Sequence, residues 1–213
     1  MKITLTDAGK RFNRDWIFRH LSYEFISGHA YAITGPNGSG KSTLLQVIAG
    51  AMATNEGALQ YEITDTNSNG AAKKIASENC YQYISYTAPY LELTEEMTCA
   101  EFLRFHQVFK PFLSSLSVEN IIDKVQLRAA AHKQIRYYSS GMKQRVKLAQ
   151  AIFSDVPVVL LDEPCTNFDV DGILLYQQLI KEYSLGRLII VSSNDKQEYE
   201  FCEEMINVMQ FKK

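Results

Sequence analysis

The sequence lacks long apolar runs, a basic excess and paired cysteines. Its apolar runs, such as residues 156–161 and 188–191, fall well short of the roughly 20 residues a bilayer-spanning helix needs. That argues against a membrane-spanning pore built by this chain alone. The net charge is −2, with 22 Lys+Arg against 24 Asp+Glu. A broad nucleic-acid-binding face usually leaves a basic balance, so no nucleic-acid partner is expected. Cys80, Cys99, Cys165 and Cys202 form no Cys-x-x-Cys pair and sit near no histidine at zinc-finger spacing. Reduced, packed thiols of a cytosolic protein are expected instead. His20, His29, His106 and His132 are scattered and suggest no metal cluster. The first five residues hold no apolar core of signal-peptide length, so no leader is expected. No internal repeat is visible.

What is present is ordinary globular composition: 213 residues, 46% hydrophobic and 22% charged. This suits one compact unit carrying at most a lobe. Residues 2–7 alternate and read as an edge strand. Residues 21–26 and 30–34 read as strands, split by Ser27-Gly28, and residues 41–49 as a helix closed by Gly50. Residues 65–72 are polar and soft, a surface loop. Residues 81–87 read as a strand. Thr98-Cys99-Ala100-Glu101 is a capping box that starts a helix, and patchy helical patterning runs over 118–132. Helices are expected at 141–153, 171–183 and 195–204, and strands at 156–161, 187–192 and 205–210. Valine-rich buried strands alternating with helices mean α/β with a largely parallel sheet. The helical block at about 90–137 interrupts the alternation. Phe102, Phe105, Phe109 and Phe112 share a stripe there that Pro111 would break; packing against the α/β core is the expectation for it.

Two motifs carry chemistry. Gly35-Pro36-Asn37-Gly38-Ser39-Gly40-Lys41-Ser42-Thr43 fits G-x-x-x-x-G-K-[ST], between a strand and a helix. Its glycines let backbone amides turn inward toward phosphate oxygens, and the following helix aims its N-terminus at the same anion. Lys41 can reach the β/γ-phosphates and the Ser42 hydroxyl can ligate Mg²⁺. A nucleotide and Mg²⁺ are therefore expected to bind here. The second motif is the buried run Val158-Val159-Leu160-Leu161, which ends in Asp162-Glu163. Carboxylates at the C-terminal edge of a strand lie where α/β folds bind ligands. Asp162 is the candidate metal ligand and Glu163 the candidate base for water.

With these residues in view, the chain resembles the ABC-type ATPases over nearly its whole length. Tyr138-Ser139-Ser140-Gly141-Met142 resembles that family's Leu-Ser-Gly-Gly-Gln signature. The resemblance implies a P-loop fold of one ABC-type domain over 1–213. Its mostly parallel core and antiparallel β lobe would take 1–89 and 138–213, with a helical lobe at about 90–137. It implies that Ser139 and Gly141 are offered to ATP bound by another subunit, so that a homodimer or heterodimer sandwiches two ATP molecules. It places Asp169 at that interface and implies that Phe12 stacks on adenine, with Trp16 as substitute. Core packing is the other reading of Phe12, and helix capping the other reading of Ser139-Ser140.

Two positions depart from the family. Its usual glutamine after the strand at 83–86, which contacts Mg²⁺ and couples to the membrane partner, falls at Pro89 or Ala88. Neither side chain can ligate metal. The family histidine after the strand at 188–191 is replaced by Asn194. An amide can donate to a γ-phosphate but cannot relay a proton. Asn194 with Gln197 also reads as a helix cap. The resemblance thus implies a slow ATPase, driving a separate integral membrane permease from the cytoplasmic face and held at the membrane by that permease. The alternatives are a soluble non-transport ATPase of the same family and a regulatory nucleotide-binding module of low turnover.

Overall fold

The computed structural model describes residues 1–64 and 72–212. The loop expected at 65–72 lies outside the described residues, except Ala72, which begins a strand. The strands are β1 (Lys2–Phe12), β2 (Asp15–Ile26), β3 (Ala30–Thr34), β4 (Glu56–Thr64), β5 (Ala72–Ile75), β6 (Ile84–Thr87), β7 (Val158–Asp162), β8 (Leu188–Ser192) and β9 (Glu204–Asn207). The helices are α1 (Lys41–Ile48), α2 (Cys99–Phe109), α3 (Val118–Lys124), α4 (Ser140–Ile152), α5 (Val170–Tyr183) and α6 (Lys196–Tyr199).

Two sheets form. Strands β6-β7-β8-β3-β9 make an all-parallel sheet, and β2-β1-β4-β5 an antiparallel one. Every residue of β7 and β8 is buried, as expected of strands covered on both faces. The strand period of two sorts their side chains. Val158 and Leu160 pack with α1 and the antiparallel sheet, through Leu44, Ile48, Ile3 and Phe25. Val159 and Leu161 pack with α2, α4 and α5, through Leu103, Leu148 and Tyr176. The architecture is therefore α/β with a parallel core, an antiparallel lobe and a helical segment.

Several expectations need correction. Strand β1 is interior, flanked by β2 and β4, because both of its edges are paired. The strand expected at 81–87 shortens to β6, since Ser77–Tyr83 forms a 3-10 helix first. The helix expected at 195–204 ends at Tyr199. The Glu203 amide instead bonds the Ala30 carbonyl, which starts β9 alongside β3. That last strand stops at Asn207, whose side chain caps the 3-10 helix Val208–Phe211. The phenylalanine stripe divides because α2 ends at Phe109. Phe102 and Phe112 are buried, whereas Phe105 and Phe109 are exposed and meet edge to face at 5.1 Å. The Thr98 capping box forms with both of its bonds.

Parallel strands put all their C-terminal ends on one side. Register brings those ends level: Thr87 pairs with Leu161, Asp162 with Ser192 and Ile33 with Ser192. The segments after β3, β6, β7 and β8 therefore meet at one edge.

Candidate functional site

At that edge the loop after β3 wraps into a cradle. Gly35, Gly38 and Gly40 all have positive φ. Gly40 is the position least able to change: at φ +106° its Cβ would fall 2.2 Å from Ile17 Cγ2. No side chain caps α1, so its first-turn amides remain available to an anion. The Lys41 ammonium is held inside the loop, donating to the Gly35 carbonyl at 2.9 Å and the Pro36 carbonyl at 3.4 Å. Ser39 serves the loop's own turn: its amide bonds the Pro36 carbonyl, and its buried hydroxyl lies against Gly35. Asn37, Gly38, Gly40, Lys41, Ser42 and Thr43 line a cavity of about 230 Å³, together with Glu163 and Ile17.

Asp162 stands at the end of β7, 1% exposed, with neither carboxylate oxygen in a well-formed hydrogen bond. Burial pushes its carboxyl above the usual range. The Ser192 and Ser42 hydroxyls, the Lys41 charge and the Tyr90 hydroxyl oppose that shift. An unpaired buried carboxylate is costly unless a cation or proton answers it. Two carboxylate oxygens beside a serine hydroxyl form a hard oxygen donor set, which fits Mg²⁺. The next residue, Glu163, has φ +43° and its amide bonds the Ser192 carbonyl. That backbone turns the Glu163 side chain into the cavity lined by the cradle.

Asn194 reaches the same cradle. Its Nδ2 donates to Asn37 Oδ1 at 2.8 Å. It is not the helix cap. Helix α6 starts one residue later than the cap reading requires, and Asp195 accepts the Gln197 amide instead. The Ala88 and Pro89 carbonyls both accept from Lys147 of α4, at 3.5 and 2.5 Å. The next residue, Tyr90, has its hydroxyl bonded to Gln46 Nε2 at 2.7 Å and to the Tyr86 hydroxyl.

The signature residues lie elsewhere. Ser139 caps α4 by accepting the Met142 amide at 3.2 Å. Gly141 packs so closely on the Asn167 carbonyl that a Cβ would sit 3.2 Å from it. Asp169 caps α5 through the Gly172 amide. Ser139, Gly141, Asn167 and Asp169 line one cavity of about 430 Å³, which shares no residue with the cradle cavity. A larger cavity of about 480 Å³, with Gly28, Gln177 and Glu203 in its wall, sits at the opposite end of β3 and holds none of the motifs. Phe12 is not core: it is 46% exposed beside the Lys10 ammonium. The Trp16 ring is covered by the Arg11 and Arg19 guanidinium groups at 5.4 and 4.6 Å, which leaves Phe12 the freer ring.

Sequence reasoning missed Ile17, Tyr90 and Gln144. Gln144 is buried on α4 and donates to the Pro164 carbonyl at 2.8 Å, tying the signature helix to the turn after Glu163. Only its central place in the helix after the signature hinted at this; nothing local marked the other two.

The model of the ABC transporter family matches residues 18–166. The cytochrome c biogenesis ATP-binding export protein CcmA of Rhizobium johnstonii is 31% identical over 91% of this chain and 88% of its own length. An uncharacterized ABC transporter ATP-binding protein of Bacillus subtilis, YybJ, is 27% identical over 92% and 87%. Among solved structures, an ABC transporter ATP-binding protein from Pyrococcus furiosus superposes with TM-score 0.81 at 18% identity, covering 100% of both chains. A dimeric ATP-binding cassette bound to ADP and Pi superposes with TM-score 0.80 at 21% identity, covering 97% of this chain and 94% of that one.

Proposed function

This chain belongs to the ABC transporter family as an ATP-binding subunit that hydrolyses ATP, and from that premise we propose how its residues divide the work. The single observation that carries the reading is the orphaned Asp162 carboxylate at the edge of the phosphate cradle, with Glu163 turned into the same cavity. Amides of Asn37, Gly38, Gly40, Lys41, Ser42 and Thr43 surround the phosphates, Ser39 shapes the loop, and Lys41 transfers its ammonium from loop carbonyls to the β/γ-oxygens. Ser42 and Asp162 would hold Mg²⁺, which would supply neutralisation of the negative charge that develops during phosphoryl transfer. Glu163 orients the attacking water and accepts its proton. Asn194 donates its amide to the γ-phosphate, positioned by Asn37. Phe12 stacks on the adenine.

The cradle and the signature face different cavities. Ser139 and Gly141 therefore complete a site on a second ATP-binding subunit, identical or homologous, with Asp169 beside that interface. A separate membrane permease supplies the transport path: among the described residues no helix is long and apolar enough to cross a membrane. The subunit sits at the cytoplasmic membrane face through that permease.

The test is steady-state ATP hydrolysis. Removing a general base costs about 10²–10⁴-fold, so Glu163→Gln loses turnover by that order while retaining ATP binding. Turnover equal to the wild type would sink Glu163 as the base. A slow wild-type rate is the expected consequence of Asn194, whose amide cannot relay a proton.

A further inference from the structure

The turn after Glu163 is gripped from two sides at a single peptide unit. The Pro164 carbonyl accepts from Gln144 Nε2 at 2.8 Å, and the Cys165 amide of the same unit donates to Glu198 Oε1 at 2.6 Å. Gln144 comes from the signature helix α4, and Glu198 from α6, the short helix that follows Asn194. Both side chains are buried. Glu198 is itself anchored. Tyr176 of α5 donates its hydroxyl to the Glu198 carbonyl at 2.6 Å, and the Glu198 amide bonds the Asp195 carbonyl. Among the described residues, the second Glu198 carboxylate oxygen has no well-formed partner. Burying a carboxylate with one oxygen unanswered costs stability. The fold as such gains little from this residue; what it fixes is the direction of one peptide plane.

That peptide bears on Glu163, whose backbone stands at φ +43°. A residue other than glycine persists in this region only where its surroundings over-determine it. Before it, the Glu163 amide is tied to the Ser192 carbonyl; after it, the Glu163 carbonyl accepts from the Thr166 amide across the gripped peptide. We propose that Gln144 and Glu198 are positioning residues for Glu163: together they fix the Pro164–Cys165 peptide and so hold the Glu163 carboxylate toward the cradle. This rests on the reading of Glu163 as the base. Neither Gln144 nor Glu198 lines the cradle cavity, so their effect falls on turnover and not on ATP binding.

The test is ATP hydrolysis by the full chain, with kcat and KM read separately and single-turnover rates for the slow variants. Misplacing a catalytic group slightly costs up to about 100-fold. Glu198→Leu is therefore expected to lower kcat by about 10- to 100-fold with KM unchanged. Glu198→Gln keeps an acceptor for the Cys165 amide and restores most of the rate. Gln144→Leu, which frees the same peptide from its other side, gives the same selective loss and carries the test if Glu198→Leu fails to fold. Combined with Glu163→Gln, neither leucine variant lowers the rate further. Three outcomes would each overturn the assignment: wild-type kcat in either leucine variant, Glu198→Gln as slow as Glu198→Leu, or a further loss in the Glu163→Gln background. Wild-type turnover in Glu163→Gln alone would instead overturn the reading of Glu163 as the base.

Discussion

Glu163 is held at φ +43°, a region where an ordinary side chain is strained by about 1–2 kcal/mol. The fold tolerates this because Asp162 and Glu163 are consecutive yet must face different things: Asp162 the buried end of β7, and Glu163 the cradle. Glu163→Gly is therefore expected to leave thermal stability undiminished while abolishing turnover, since relief of strain offsets glycine's entropy. Calorimetry and an ATPase assay on one preparation check both halves. Gly40→Ala is the reverse case. Positive φ and a Cβ 2.2 Å from Ile17 impose a cost of about 1–3 kcal/mol, read by titration calorimetry as lost ATP affinity. Asn194→His tests the switch position: turnover is expected to rise, because imidazole can carry the proton that an amide cannot. An unchanged rate would make the replacement neutral.

At the scale of elements, α2 shows how local signals and tertiary contacts share the control. Its start is written in Thr98 and Glu101, and its end in Pro111. Its pH response comes from packing. His106 sits against Ser154 at 3.0 Å and the Phe112 ring, near Lys110. Burial, with the Lys110 charge adding, pushes its pKa down to about 4. The unfolded chain, with histidine near its ordinary value of about 6.5, takes up that proton first as pH falls. Stability from this group is thus intact above about pH 6.5 and lost as pH falls through 6.5 toward 4, by up to about 3 kcal/mol. His106→Gln should flatten the difference between urea unfolding at neutral pH and in mild acid. The antiparallel lobe shows the opposite balance. Residues 2–7 alternate as a strand, but whether such a strand is edge or interior depends on β4, some fifty residues away, folding back beside it.

At the scale of the molecule, the decisive fact is separation. The cradle and the signature lie on one chain yet line cavities with no residue in common. With ATP and Mg²⁺ and turnover blocked by Glu163→Gln, the protein is expected to dimerise, and Ser139→Arg to remain monomeric under the same conditions. Light scattering distinguishes the two. Gln144, Lys143 and Lys147 hold α4 to the turn after Glu163 and to the loop at 88–95. These contacts join the turn after Glu163, the signature helix and the 88–95 loop into one packed unit.

The cradle, the Asp162-Glu163 pair and the signature are legible in the linear chain because each takes its chemistry from consecutive residues. Backbone amides of one turn, the end of one strand and the cap of one helix need no distant partner to be recognised. The same holds for the alternation of valine-rich strands with helices, which implies the parallel core. The chain in one dimension leaves open every contact made across the sheet. Asn194 reads as a helix cap, with or without a γ-phosphate role, until the fold gives the cap to Asp195 and sets the Asn194 amide 2.8 Å from Asn37. Pro89 reads as a simple loss of function until the fold shows its carbonyl held by Lys147 of the signature helix. Ile17 and Gln144 carry no decisive local mark. Such pairings depend on strand order and side-chain direction, which long-range burial decides and short-range spacing does not.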